Sequence, residues 1–326
     1  MPKLTRALRI CRPDVRAILP LTICRDIIRP MPIEFSISTP PEFDFLTTVR
    51  SHGWYDLSPF HLDESAGELR YVFTDKKGKK AALGKITGEK GQLTVHLSNA
   101  SVPTAKVERD VRHILRLDDD MAGFYDAARR EDRLHWAAGI GAGRLLRSPT
   151  VFEDAVKTMC TTNCSWALTK KMVENLVDKL GTPAAGGANA FPTAESLAKM
   201  DEKFYREEIK AGYRSPYFVE FAEAVASGSL DPETWLQSDL PTAELTKEIK
   251  KVKGFGDYAA ENLLKLLGRY DGLALDSWVR AKFYEKHTGG KPCSDKKIAK
   301  HYAKFGEWQG LAIWCDMTEY WHFEGR

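Results

Sequence analysis

The stretch KGFGDYAAENLLKLLGRYDGLALDSWVR, residues 253–280, opens with two glycines on either side of one aromatic residue. Gly254 and Gly256 can adopt the positive φ angles of a tight turn and allow another backbone to approach closely. A hairpin here would direct its amide groups and the start of the next helix outward, which suits one phosphate group. A Gly-x-Gly pair is also typical of an ordinary helix cap, so the residues that follow must separate the two interpretations.

An apolar helix and a second turn follow the hairpin and lead to one acidic residue. The pattern predicts a helix from 258 to 267 that stops at Gly268, after which the segment RYDG turns the chain. The segment LAL then places Asp276 directly before another helix, where its carboxylate can cap the free amide groups. A capping role does not exclude a catalytic role for Asp276.

The composition is that of an ordinary globular protein. The 326 residues are 43% hydrophobic and 29% charged, with a net charge of +3. No apolar run approaches the roughly eighteen residues that a membrane span needs. Basic residues nevertheless crowd around residues 253–280, namely Lys247, Lys250, Lys251, Lys253, Lys265, Arg269, Arg280, Lys282 and Lys286. Such clustering can attract phosphates, although a solvated charged face is the more common outcome for a lysine run.

The cysteines give no sign of a metal centre. Six are present, namely Cys11, Cys24, Cys160, Cys164, Cys293 and Cys315. Because none forms a C-x-x-C pair, the sequence predicts no metal site, neither zinc nor an iron–sulfur cluster. It also predicts no dense disulfide framework, so we expect buried thiols in a reducing compartment.

The order of patterns along the chain predicts an α+β fold. Residues 1–33 are rich in arginine and poor in acids, and we expect them to be a disordered basic extension, whether native or not. Residues 34–118 contain alternating and β-branched residues between turn signals, which predicts an antiparallel sheet domain. Residues 119–326 predict helices joined by short loops, and this helical domain carries the hairpin.

The order of hairpin, turn and acid resembles the helix-hairpin-helix superfamily of DNA glycosylases, whose signature ends in a catalytic aspartate just before a helix. The segment LDSWVR is similar to that family's Asp-x-(aromatic or His)-Val pattern. Residues 141–181 are similar to the segment that opens the helical core in the 8-oxoguanine and alkylpurine branches. The resemblance extends over roughly residues 40 to 320 and includes the family's early sheet domain.

The resemblance implies roles for residues of the hairpin and for the acid. Asp276 matches the catalytic acid. Gly254 and Gly256 match the hairpin glycines, whose carbonyl groups often help to hold a monovalent cation in the family. No other cofactor is implied, and an iron–sulfur cluster is disfavoured because only Cys293 and Cys315 follow the motif.

Three further residues match positions that contact DNA in the family. Asn163 matches an asparagine of the 8-oxoguanine branch that probes the gap left by a flipped base, with a helix-end cap as the alternative. Tyr213 and Arg214 match an inserted tyrosine and its arginine neighbour, although Tyr213 could equally belong to the core. The implied DNA-binding set is Lys253, Gly254, Phe255, Gly256, Asn163, Tyr213 and Arg214.

One position departs from the bifunctional members of the family. They carry a lysine two positions after the second glycine, where it forms a Schiff base with the sugar, and here that residue is Tyr258. The departure favours a monofunctional enzyme without a lyase step. Alkylpurine glycosylases carry an aromatic residue there, which suits stacking on an electron-poor base. Tyr258 and Trp278 are therefore candidates for the wall of the base pocket, with a core position as the alternative for Trp278.

The resemblance as a whole implies a base-excision-repair DNA glycosylase that hydrolyses the N-glycosidic bond of a damaged base flipped out of the duplex. An alkylated purine is favoured, since a cationic base can leave without a strong general acid and the site has one obvious carboxylate. One alternative is an 8-oxoguanine glycosylase, which Asn163 and the Gly-Tyr-Arg segment favour. The other is a non-catalytic DNA-binding protein, against which Asp276 argues.

The same resemblance implies the surroundings in which the protein works. Its partner would be double-stranded DNA containing a damaged base, and we expect a monomer with no membrane association. It would lie in the cytoplasm, at the nucleoid, of a bacterium, or in the nucleus of a eukaryote.

Overall fold

The computed structural model describes residues 33–323 of the chain. The expected N-terminal extension, residues 1–33, lies outside the described residues except for its last position. Within 33–323 there are five β-strands, with a short helical segment between the first and the second, and a series of helices follows the last strand. None of the described helices combines the length and apolar character that crossing a bilayer requires.

The strands form one antiparallel sheet in the order β1-β5-β4-β3-β2. They are β1 (Ile33–Ser38), β2 (His61–Asp63), β3 (Glu68–Thr74), β4 (Ala81–Glu89) and β5 (Gln92–Leu97). In β5 the buried residues Leu93, Val95 and Leu97 alternate with more exposed ones, as a sheet with one covered face requires. Because this sheet precedes a helical region, the predicted α+β class is confirmed.

The described helices lie mostly after the sheet and are joined by short loops. They are α1 (Phe45–Val49), α2 (Thr104–Ile114), α3 (Ala122–Arg129), α4 (His135–Gly139), α5 (Val151–Thr161), α6 (Trp166–Leu180), α7 (Ala194–Leu197), α8 (Glu202–Phe204), α9 (Ser215–Ala226), α10 (Thr242–Lys250), α11 (Asp257–Leu266), α12 (Ser277–His287), α13 (Asp295–Tyr302) and α14 (Gln309–Phe323). The observed α11 agrees with the helix predicted from the sequence to within one residue at each end.

Buried apolar residues of the described chain form two large clusters that meet near the turn after α11. The first cluster combines the inner face of the sheet with α2, α5, α6, α9, α10 and α11. The second combines α3, α4 and the C-terminal helices α12, α13 and α14. Since α11 belongs to the first cluster and α12 to the second, Asp276 lies where the chain passes from one to the other.

Buried polar contacts join α5 to the N-terminal part of the fold. The hydroxyl of Tyr71 on β3 donates to Glu153 at 2.6 Å, and Glu153 also forms a buried ion pair with Lys157 at 2.7 Å. The indole nitrogen of Trp54 donates to Asp154 at 2.7 Å. Each of these groups is paired, as buried polar groups must be if their desolvation is to be offset.

Candidate active site and nucleic-acid interface

The two glycines of the hairpin differ in conformation. Gly254 has a φ of +94°, and a Cβ there would lie 3.0 Å from the Tyr217 ring. Gly256 has a φ of −83°, and no atom lies within 4 Å of an added Cβ. The amide of Phe255 closes the turn by donating to the carbonyl of Val252 at 3.1 Å. The turn therefore requires glycine at 254, whereas Gly256 leaves open surface in front of the start of α11.

The side chains around the hairpin contribute less positive charge than the sequence indicates. Phe255 is buried against Phe221, with 6.3 Å between ring centroids, so only its backbone is available to DNA. Lys253 is exposed but pairs with Glu220 at 2.8 Å. Lys265 is only 3% exposed, and its inclusion among the surface lysines is therefore wrong.

Asp276 caps α12, as its position in the sequence predicts. Its Oδ1 accepts a hydrogen bond from the amide of Val279 at 2.6 Å, and the residue is half-buried. Its Oδ2 has no hydrogen bond within residues 33–323. The cap holds one oxygen of the carboxylate in place and leaves the other available to a ligand.

The structure brings Asn163 and Tyr213 into contact on an exposed surface at the end of α5. Asn163 has a φ of +45°, and its Nδ2 lies 3.3 Å from the hydroxyl of Tyr213. Tyr213 is 48% exposed. Arg214 is buried beneath it, with its guanidinium 4.6 Å from the tyrosine ring centroid and its Nε donating to Thr162 at 3.0 Å. Arg214 thus supports Tyr213 from below and is not itself presented to solvent.

Tyr258 and Trp278, the two candidates for the wall of the base pocket, are both half-buried. Burial raises the pKa of the half-buried Tyr258, a hydrogen bond with Thr161 opposes that rise, and the charge of Asp276 adds to it. Trp278 packs against Trp314, with 5.9 Å between ring centroids. Neither Tyr258 nor Trp278 lines the cavity beside Lys265.

That cavity has a volume of about 40 Å³ and lies where the two apolar clusters meet. Its lining residues are His52, Trp54, Leu145, Asn262, Lys265, Leu266 and Trp314. Fully buried Arg116 donates to the carbonyl groups of Lys265, at 2.9 Å, and of Leu266, so it caps the end of α11 and fixes this wall. Sequence patterns alone do not mark Lys265 as a site residue. No local signal identifies it, because the aromatic residues around its amine are distant in the chain.

A second cluster of ionisable groups, away from the hairpin, is accounted for by its own hydrogen bonds. Atoms of His287, His301 and Asp316 that could bind a metal lie within 4.8 Å of one another. Asp316 accepts from His287 at 2.7 Å and from Tyr302 at 2.5 Å, and it pairs with Lys286 at 2.8 Å. Although burial opposes it, these contacts lower the pKa of Asp316 to about 2. The charge of Asp316 is already balanced by the ammonium of Lys286, so we assign no metal here.

Solved structures with this architecture are DNA glycosylases. The 3-methyladenine DNA-glycosylase from Archaeoglobus fulgidus is 19% identical with a TM-score of 0.71, over 89% of this chain and 99% of that chain. The apo form of the 8-oxoguanine glycosylase/lyase from Clostridium acetobutylicum is 20% identical with a TM-score of 0.68, over 87% and 95%. The same enzyme in complex with double-stranded DNA containing cytosine opposite 8-oxoguanine is 20% identical with a TM-score of 0.68. The likeness covers 89% of this chain and 97% of that chain.

The sequence itself gives no such matches. No protein-family profile matches the chain, and no curated protein matches it. The three-dimensional likeness nevertheless extends over nearly the whole of each neighbour, including both the sheet and the helices. The chain therefore has the α+β helix-hairpin-helix fold of these DNA glycosylases.

Proposed function

We propose that this protein is a monofunctional DNA glycosylase that hydrolyses the N-glycosidic bond of a damaged purine flipped out of duplex DNA. The observation that carries the proposal is the placement of Asp276. Its carboxylate is fixed by the start of α12 through one oxygen, and the chain between the hairpin and Asp276 is the short, rigid α11 and one turn. A helix cap uses only one of the two carboxylate oxygens, and the other, Oδ2, is left for a ligand.

The hairpin would hold the DNA backbone without reading its sequence. The exposed Gly256 and the start of α11 offer amide groups to one phosphate, and Lys253 can exchange its surface ion pair with Glu220 for that phosphate. A surface ion pair is worth little, about 0 to 1 kcal/mol. Its exchange for a phosphate therefore opposes binding only weakly.

Asp276 would act on the sugar of the flipped nucleotide. Positive charge develops on the sugar as the base departs, and a fixed carboxylate stabilises that charge more in a site with little water than in solvent. The free Oδ2 of Asp276 can also orient or activate a water molecule for attack on the sugar. Both roles use the oxygen that the cap leaves free.

The absence of a lyase step rests on Tyr258. The residue that would supply a Schiff-base amine at the start of α11 is a half-buried tyrosine. Among the structural neighbours one is named as a glycosylase/lyase and another as a glycosylase. We therefore expect intact abasic sites as the product, which break only after alkali.

The test uses duplexes that each carry one of 3-methyladenine, 7-methylguanine, hypoxanthine, 8-oxoguanine or uracil. Wild-type protein should release at least one purine, and Asp276→Asn should lower that rate by roughly a hundredfold or more. The fold should be retained because asparagine is as good a helix cap as aspartate. Affinity for the lesion duplex should also be kept, and borohydride should trap no covalent adduct. Full activity in Asp276→Asn would remove this residue from the mechanism.

A further inference from the structure

We propose that Lys265 forms the floor of the base pocket and selects neutral purines that carry a carbonyl oxygen, such as 8-oxoguanine or hypoxanthine, over cationic N-alkylated purines. The inference rests on the proposed function and names the substrate class of that site. It reverses the preference for an alkylated purine that the sequence resemblance implies.

The ammonium of Lys265 is buried beside the cavity. The side chain is 3% exposed, and its Nζ has no hydrogen-bond partner within residues 33–323. The ammonium lies over the ring of Trp314, 5.3 Å from Nζ to the ring centroid, and this cation–π contact satisfies none of its N–H donors. Burying an amine without a partner costs several kcal/mol. A ligand that supplies a hydrogen-bond acceptor would offset that cost.

A second buried lysine shows how this fold stabilises a buried ammonium that has only a structural role. Lys157 is fully buried and forms an ion pair with Glu153 at 2.7 Å, and its Nζ also donates to Ser148 at 3.3 Å. In the part of the chain that the structure describes, Lys265 has neither an ion pair nor a hydrogen bond of this kind. A packing role would be served better by a leucine or methionine at position 265.

Lys265 lies close enough to Asp276 for the two charges to interact. Lys265 follows Tyr258 by seven residues, which is two helical turns and about 10 Å along the same face of α11. Helical side chains lean toward the helix N-terminus, so that of Lys265 leans toward Tyr258. Burial lowers the pKa of Lys265 to about 8, and the nearby charge of Asp276 acts in the opposite direction. The amine is therefore mostly protonated at neutral pH.

Three of the other lining residues, His52, Trp54 and Trp314, are aromatic, and their polar groups are already engaged. The indole nitrogen of Trp54 donates to Asp154 at 2.7 Å, and that of Trp314 donates to the carbonyl of Ser51 at 2.9 Å. Burial lowers the pKa of His52 to about 4, so its ring is neutral. These rings can stack on the faces of a planar base. Lys265 supplies a hydrogen-bond donor that is still free to bind that base.

The positive charge of Lys265 determines whether the pocket prefers neutral or cationic purines. An ammonium donates to the carbonyl oxygen of an oxidised or deaminated purine and gains the partner that it lacks. A purine that is already cationic after N-alkylation would instead meet a like charge in a medium of low dielectric. The free cavity, at about 40 Å³, is smaller than a purine. The flexible stem of Lys265 is the wall that can yield to the base.

The experiment compares excision of 8-oxoguanine and hypoxanthine with excision of 7-methylguanine, in wild-type protein and in Lys265→Met. Wild type should prefer the neutral bases. Lys265→Met should lower excision of the neutral bases at least tenfold and raise that of 7-methylguanine, so the ratio of the two rates should reverse. Lys171→Met, an exposed lysine on α6 paired with Glu174, is the matched control and should leave the ratio unchanged.

Two further measurements test the role of Lys265 separately from the ratio of excision rates. The melting temperature of Lys265→Met should equal or exceed that of wild type, because an unpaired buried charge has been removed. If that variant does not fold, Lys265→Gln, which keeps a donor without the charge, should also lose the discrimination against 7-methylguanine. Equal changes for all bases, or a wild-type preference for 7-methylguanine, would reject the inference. So would a borohydride-trapped adduct that disappears in Lys265→Met.

Failure of the inference and failure of the proposed function are distinguishable in the same assay. Wild-type protein that releases no base from any duplex would reject both. Release that depends on Asp276 but shows no discrimination through Lys265 would reject only the inference, because Asp276→Asn lowers the rate for every base.

Discussion

At the scale of single residues, His52 makes the stability of the fold depend on pH. It is buried, its Nε2 lies 2.5 Å from the carbonyl of Leu146, and burial lowers its pKa from 6.5 to about 4. Between these two values the unfolded chain binds a proton that the folded chain does not. Neutral, buried His52 therefore makes its full contribution to the free energy of unfolding above pH 6.5. About 3 kcal/mol of that free energy is lost as the pH falls toward 4.

Asp154 acts in the opposite direction over part of the same range. Burial raises its pKa to about 6, so the folded chain holds a proton that the unfolded chain has released, and folding becomes more favourable as the pH falls from about 6 toward 4. We predict that His52→Gln, which keeps a donor for Leu146, lowers the acid sensitivity of the unfolding free energy. Urea denaturation at pH 7 and pH 5 measures it, and equal losses in wild type and variant would contradict the assignment.

A second residue-scale prediction concerns Asn163 and Tyr213, which contact each other on an exposed surface. If they fill the gap left by a flipped base, their loss should impair extrusion and not the chemistry that follows. Asn163→Ala and Tyr213→Ala should each lower excision from duplex DNA at least tenfold and from a flexible single strand much less. Equal losses on the two substrates would instead assign both residues to folding or to the pocket.

The sequence predicted some residues of the site better than others, for a physical reason. Asp276 is identified by local order, since the cap that positions it depends on the residues immediately after it. Lys265 is not, because a lysine beside other basic residues predicts a solvated surface unless its surroundings are known. Those surroundings come from His52, Trp54 and Trp314, which are distant in the chain. Local patterns do not contain that information.

At the scale of elements, the two glycines of the hairpin have different roles, although the sequence predicts a tight turn and a phosphate contact for both. Gly254 carries the positive φ, so Gly254→Ala should cost about 1 to 2 kcal/mol of stability and also crowd Tyr217. Gly256→Val should cost about 1 kcal/mol, because open space surrounds the new side chain but valine is a poorer helix N-cap than glycine. It should weaken binding to damaged and undamaged duplex alike, because the side chain would stand where a phosphate approaches.

Thermal unfolding and duplex binding at several salt concentrations measure these two effects. The affinity of wild type should fall as salt rises, since phosphate contacts release counterions. A Gly256→Val variant that folds and binds duplex normally would reduce the hairpin to a structural turn.

The elements around the hairpin were predicted well because their signals are local. Apolar periodicity and a terminal glycine mark α11, and the acid before Ser277 marks the start of α12. The contact between the end of α5 and Tyr213 could not be predicted in the same way. It joins residues 50 positions apart, and it depends on how the helices between them pack.

At the scale of the whole molecule, the sheet and the helices share one apolar cluster. Strand residues such as Leu93 and Val95 belong to the same cluster as Val156 of α5 and Leu263 of α11. The division at residue 118 that the sequence indicates therefore separates two patterns of secondary structure that share a core. Buried polar contacts from Tyr71 to Glu153 and from Glu153 to Lys157 reinforce the junction.

We predict that this shared core makes the sheet and the bundle unfold together. Lys157→Met leaves the carboxylate of Glu153 buried without its cation, which should cost about 3 to 5 kcal/mol. Tyr71→Phe, the matched control, removes one hydrogen bond and should cost less, about 1 to 3 kcal/mol. Hydrogen exchange should show that the slowest amides of β5 and of α5 lose protection by equal free energies in each variant. If Lys157→Met lowers protection in α5 alone, or if denaturant unfolds sheet and bundle in two steps, then the sheet is an independent domain and the shared cluster does not couple them.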